Sequence, residues 1–232
     1  MPYALDRAND KDLLGQTPSL AEMTGKAIEL LNKNPQGFAL QVEGGKVDWA
    51  AHANDAGALI YDQIAFDEAI RTAVDFAEKD GETLVVITTD HGNANPGLFY
   101  GSKADDHFDR IQTFRHTNEW ILREVNNSTT APALIDKIEF AQGYAITSEE
   151  SKQVLAHYRS LGGESLYNPR NLPYKELAQI QARYTAVGWG SMDHSADYVE
   201  LAMLGPGSEL LPCFVKNFQL HNLMLDAAGL SR

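Results

Sequence analysis

The chain has 232 residues, a net charge of -13 and a hydrophobic fraction of 44%. That size and composition allow one large domain or two small ones, each with a real core. The acidity argues against a nucleic acid partner, because phosphate backbones require basic patches. No apolar run approaches the ~18 residues that a membrane-spanning helix needs.

Residues 1–18 are polar and read as turns, with no basic stretch followed by an apolar core and hence no signal-peptide pattern. A helix is expected to begin at residues 17–19, where Pro18 suits a first turn and Ser19 with Glu22 forms a capping-box pattern. Leu20, Met23, Ala27, Leu30 and Leu31 follow helical spacing, and Asn34-Pro35-Gln36-Gly37 ends the run. Phe38-Ala39-Leu40-Gln41-Val42 reads as a short buried strand. A long helix is expected over residues 54–78, with Leu59, Ile64, Ala65, Ala69, Ala73 and Phe76 facing inward, followed by a strand over 83–88.

This strand–helix–strand alternation implies an α/β fold, a three-layer α/β/α sandwich around a mostly parallel sheet. Residues 1–101 form the first core segment. Residues 102–186 read as a mainly helical insertion with loops at Asn126-Asn127-Ser128 and Gly162-Gly163-Glu164. Core sequence resumes over 187–232, with a strand at 198–204 and a closing helix at 217–228. Cys213 is the one cysteine, which excludes an internal disulfide, and its apolar setting LLPCFV suggests burial.

Chemistry concentrates at the ends of the expected strands, where ligands of such folds sit. VEGGKVDWAAHAND (residues 42–55) places Glu43, Asp48 and His52 together, with Asp48 and His52 one helical turn apart. Gly44 and Gly45 permit a tight backbone after the strand. ITTDHGN (residues 87–93) supplies Asp90 and His91, and His194 lies in a Gly/Ser-rich loop before the last strand. Carboxylates and imidazoles so gathered are zinc or magnesium ligands by chemical type and point to a metal-dependent hydrolase. His107, His116 and His157 are expected at the surface, and His221 reads as structural.

These three stretches, the last continuing as DHSADYVELAMLGPGS, resemble the alkaline phosphatase family over residues 1–101 and 187–232. The resemblance implies hydrolysis of phosphate monoesters with two zinc ions and one magnesium ion. It matches Asp48, His52 and His194 to the first zinc, Asp90 and His91 to the second, and Glu43 to magnesium. It matches no residue here to the family's nucleophilic serine, to the aspartate shared by zinc and magnesium, to a threonine-type magnesium ligand or to the phosphate-binding arginine. The chain therefore reads as a C-terminal part, its sheet incomplete at the N-terminal side and inactive alone. Trp49 stands where some members carry lysine or histidine and is a candidate substrate contact. Ser195 and Ala196 follow His194 where Thr-Gly is commoner. The resemblance further implies a homodimer, exported to the periplasm or outside the cell. A related phosphomutase or phosphodiesterase, and a non-catalytic metal-binding module, are the alternatives.

Overall fold

The computed structural model describes residues 1–161 and 169–230; the loop expected at Gly162, Gly163 and Glu164 lies outside the described residues. In chain order the helices are α1 (Ala4–Asn9), α2 (Lys11–Gln16), α3 (Leu20–Leu31), α4 (Gly45–His52), α5 (Ala56–Asp80), α6 (Ala104–Asp109), α7 (Asn118–Leu122), α8 (Ala131–Gln142), α9 (Ser148–Ser160), α10 (Tyr174–Thr185) and α11 (Gln219–Ala227). The strands are β1 (Val85–Thr88), β2 (Gly92–Asn93), β3 (Pro96–Leu98), β4 (Val187–Trp189), β5 (His194–Ser195) and β6 (Leu201–Leu204). The chain divides into two compact units, residues 1–18, 44–64 and 93–194 in the first, and 19–43, 65–92 and 195–232 in the second.

The first unit holds the main hydrophobic core, in which Leu5, Ile121, Leu122, Leu134, Ile138, Tyr158 and Leu177 are wholly buried. Burying each aliphatic side chain of this size contributes about 1.5–3 kcal/mol. Most of these residues come from 102–186, so the segment expected as polar and mainly helical is helical but carries a core of its own. The expected turns of residues 1–18 are in fact the helices α1 and α2; Asp10 caps α2 by accepting from the Asp12 and Leu13 amides, and Leu5 of α1 enters the core.

Buried polar groups tie these helices end to end. Asp55 caps α5 by accepting from the Ala58 amide, and its second oxygen accepts from the Asn118 amide at the start of α7. Asp6 accepts from the Thr117 amide and hydroxyl, and Asp62 accepts from the Ala4 amide that opens α1. Asn118, Gln142 and Gln181, all buried, exchange side-chain hydrogen bonds, and the Tyr144 hydroxyl donates to Gln142. Thr147 and Glu150 form a capping box on α9, and the same Glu150 carboxylate accepts from Arg183 and Tyr184 of α10 at 2.8 Å each. Gly143 ends α8 with φ at +72°, where an added Cβ would meet the Thr113 hydroxyl at 2.9 Å.

Three histidine expectations change here. His116 is buried rather than at the surface: its ring stacks on Trp120 with centroids 3.9 Å apart, and Nδ1 lies 3.2 Å from Asp6. His107 and His157 are half-buried, and His157 Nε2 donates to the Asn171 carbonyl oxygen. Their segment has a core to face, which its polar composition concealed.

In the second unit the Ser19–Glu22 capping box opens α3 as expected, with Pro18 outside the first turn. The helix buries Thr24 and Ile28, while Leu30 and Leu31 are exposed, as is Ile64 of α5. Gly25 of α3 approaches Thr72 of α5, and Phe38 packs near Phe76 with ring centroids 6.2 Å apart. β1 pairs antiparallel with β6, Val86 opposite Met203. In the first unit β3 pairs antiparallel with β4, Gly97 opposite Gly188. These ladders are two-stranded and antiparallel, whereas the alternation of elements implied a mostly parallel sheet. Residues 38–42 have no regular secondary structure and join no ladder among the described residues, since apolar character alone does not supply a neighbouring strand. Cys213 is exposed, not buried, because LLPCFV lies in an irregular stretch before α11. His221 of α11 is also exposed.

Two predictions follow from the buried carboxyls. Burial raises the Asp62 carboxyl from its ordinary 3.8 to about 7 and Asp55 to about 6. The stability that this gives is present in full below about pH 4 and is lost as pH rises through 6 to 7. The urea midpoint should therefore be higher at pH 5 than at pH 8, and Asp62→Asn should flatten that profile. Glu150 behaves oppositely: burial pushes it up, but the Thr147, Tyr184 and Arg183 contacts outweigh burial and hold it below its ordinary 4.5. Its contribution is present above that value and lost as pH falls through the lowered one. Glu150→Gln should cost about 1.5–3 kcal/mol at pH 7, read by urea unfolding, with the difference shrinking in acid.

Candidate metal centre

The centre is built on α4. Gly44 and Gly45 start this eight-residue helix, which places Asp48 and His52 one turn apart on one side. The helix stops at His52 because Ala53 caps it and Asn54 turns left-handed at φ +48°, a conformation asparagine tolerates. Asp55 then starts α5 and ties the chain just beyond the C-terminal end of α4 to Ala58 and Asn118.

His194 arrives from the other end of the sequence. Ala94 and Asn95 are left-handed, at φ +57° and +45°. The Ala94 carbonyl oxygen accepts from the Gly190 and Ser191 amides, and the Ala94 amide donates to the Asp193 carbonyl oxygen at 3.0 Å. Ser191 and Asp193 close a side-chain turn between them. This holds residues 190–194 in a compact loop whose Met192 carbonyl oxygen accepts from His52 Nδ1 at 2.6 Å.

That bond assigns the His52 proton to Nδ1 and leaves a lone pair on Nε2. Nε2 faces His194 Nε2 at 3.0 Å. Each imidazole also lies 3.6 Å from an Asp48 oxygen, His52 from Oδ2 and His194 from Oδ1. Ligand atoms on one tetrahedral zinc are about 3.4 Å apart, given zinc–nitrogen and zinc–oxygen bonds of ~2.1 Å. The 3.0 Å imidazole pair and the two 3.6 Å carboxylate approaches, one to each Asp48 oxygen, bracket that value, and two ring nitrogens with a carboxylate are suitable donors, so these residues fit a zinc ion. Asn93, which the sequence reading missed, donates from Nδ2 to Asp48 Oδ1 at 2.7 Å and to the Asp48 carbonyl oxygen at 3.2 Å. Its place directly after Asp90-His91-Gly92 in the motif was the available signal.

Trp49 follows Asp48 on α4 and is 58% exposed, with the Lys46 ammonium over its ring. In the second unit, His91 Nε2 lies 3.3 Å from Asp90 Oδ2, and His91 Nδ1 contacts the Gly92 carbonyl oxygen at 3.2 Å. The Asp90 side chain is largely exposed, and Glu43 is exposed in the irregular segment that precedes α4.

Imidazoles and a carboxylate converging in this way are the donor types of a metal centre. A family model described as alkaline phosphatase matches residues 1–230, and the chain belongs to the alkaline phosphatase family. It is 30% identical to alkaline phosphatase 4 of Bacillus subtilis (strain 168) over 220 residues, covering 95% of this chain and 45% of that protein. The crystal structure of Thermus thermophilus alkaline phosphatase superposes with a TM-score of 0.87 at 28% identity, covering 100% of this chain and 51% of that one. A mutant of TAB5 alkaline phosphatase with Mg bound in its M3 site matches with a TM-score of 0.55 at 23% identity, covering 94% and 43%. The chain thus spans about half the length of the relatives it matches. The fold is α/β, and the family is metal-dependent and hydrolyses phosphate monoesters.

Asn93→Ala should weaken zinc binding about 10–100-fold by freeing the Asp48 carboxylate to rotate. Competition against a chromophoric chelator would measure it, and an unchanged affinity would remove Asn93 from the site.

Proposed function

We propose that this chain supplies metal ligands for hydrolysis of phosphate monoesters at a centre of two zinc ions and one magnesium ion. Asp48, His52 and His194 hold the first zinc, Asp90 and His91 the second, and Glu43 the magnesium. Bound zinc ions would clamp the attacking and leaving oxygens of an in-line phosphoryl displacement. The chain's own residues orient the ligands: the Met192 carbonyl oxygen sets the His52 tautomer, and Asn93 fixes the Asp48 carboxylate. Trp49 borders the centre as a candidate substrate contact.

The observation that carries this reading is the approach of His52 and His194 to 3.0 Å, with His52 Nε2 left as an acceptor. No residue here matches the family's nucleophilic serine, so on this reading the 232 residues alone bind zinc and turn over little or no phosphate ester. β1 would be a strand of a larger, mostly parallel three-layer sheet. The whole enzyme would be an exported homodimer; among the described residues no helix is long and apolar enough to cross a membrane.

The test is zinc stoichiometry by elemental analysis beside p-nitrophenyl phosphate turnover with zinc and magnesium added. Asp48→Ala should remove one tightly held zinc. Unchanged stoichiometry would overturn the ligand assignment, and enzyme-like turnover by the unmodified chain would overturn its inactivity alone.

A further inference from the structure

We propose that Lys46 is a positioning residue for Trp49, its ammonium holding the indole as a fixed wall beside Asp48. This rests on the proposed role of Asp48 as a zinc ligand. The argument begins from α4, where Lys46 lies three residues before Trp49 and so on the same side of the helix. The Lys46 ammonium is 3.9 Å from the centre of the Trp49 ring and 4.3 Å from that of Tyr3. Both distances are well inside the ~6 Å at which a cation is attracted by an aromatic face. The one ammonium thus lies over both rings.

The three side chains differ in how they are held. Tyr3 is 6% exposed and packs with Ala50, Ala58 and Leu59, so it is a fixed base. The lysine is half-buried, and burial holds its ammonium below the ordinary lysine range, with the carboxylates of Glu119, Asp62 and Asp6 opposing that shift in part. Trp49 is the most exposed of the three, at 58%. A tryptophan so exposed has little packing to choose among its rotamers. The ammonium beneath its face supplies the preference, about 2- to 30-fold in population for a contact between exposed and desolvated limits. Because Trp49 adjoins Asp48, that preference decides whether an ester held at the centre meets a rigid aromatic surface or a moving one.

Arginine also stacks on aromatic faces, whereas methionine keeps the stem and loses the charge. Lys46→Arg and Lys46→Met therefore separate a cation's role from simple packing. The chain has three tryptophans, Trp49, Trp120 and Trp189. Labelling the full chain with 5-fluorotryptophan gives each a 19F resonance, and Trp49→Phe identifies the first. No metal is added in any arm, so the outcome is independent of whether zinc binds.

In the unmodified chain, the Trp49 line should be as broad as those of Trp120 and Trp189, which belong to the packed unit. Lys46→Met should shift and narrow the Trp49 line alone, and Lys46→Arg should restore it. A Trp49 line unchanged in Lys46→Met would overturn the proposal. Were Lys46→Met to unfold, all three lines would collapse together. The line width in the unmodified chain then decides: a narrow Trp49 line overturns the proposal and a broad one supports it.

Discussion

The hydrogen bond from His52 Nδ1 to the Met192 carbonyl oxygen joins positions 140 residues apart, and the candidate centre depends on it. It has two effects at once. It docks the 190–194 loop on the end of α4, and it leaves the other ring nitrogen as a bare acceptor. Without the first, His194 would not stand opposite His52. Without the second, two imidazoles 3.0 Å apart would still be close, but the nitrogen facing His194 would carry a proton instead of a lone pair. Asn93 repeats the arrangement on the carboxylate, and the left-handed turn at Ala94 and Asn95 anchors the loop from which His194 emerges.

Around this point the first unit is organised by capped helix ends. Asp55, Asp6 and Asp62 each accept from a backbone amide, across the chain in every case and also within α5 for Asp55. The carboxyls of Asp55 and Asp62 are raised by burial, so their amide contacts form against a desolvation penalty. Glu150, with an arginine and a tyrosine on it, has the opposite balance. A carboxyl group thus resists or favours ionisation according to whether the burial penalty or the donors and charges around it weigh more.

What the sequence made legible was local. The Ser19–Glu22 capping box and the Asp48–His52 pair are separated by less than one or about one helical turn, so spacing alone reveals them. α5 was legible from its length. The misreadings concern partners distant in sequence. Residues 38–42 have a strand's composition, yet a strand also needs a neighbour's backbone. Cys213 has apolar neighbours in sequence but no element to bury it. His116 looked exposed because Asp6, 110 residues away, and the stacked Trp120 are invisible to composition. Asn93 was overlooked for a similar reason: its partner Asp48 lies 45 residues away.

The long separation between His52 and Met192 has a thermodynamic consequence. Since Asp48 and His52 share one helix while His194 sits far along the chain, the three proposed ligands meet only when the first unit is folded. An unfolded chain offers a cation at most the local pair. Any ion that takes all three therefore binds the native state in preference and, by mass action, stabilises it in proportion to the logarithm of its concentration above its dissociation constant. On the proposed ligand assignment, metal supply would then set the stability of the first unit as well as the filling of the centre.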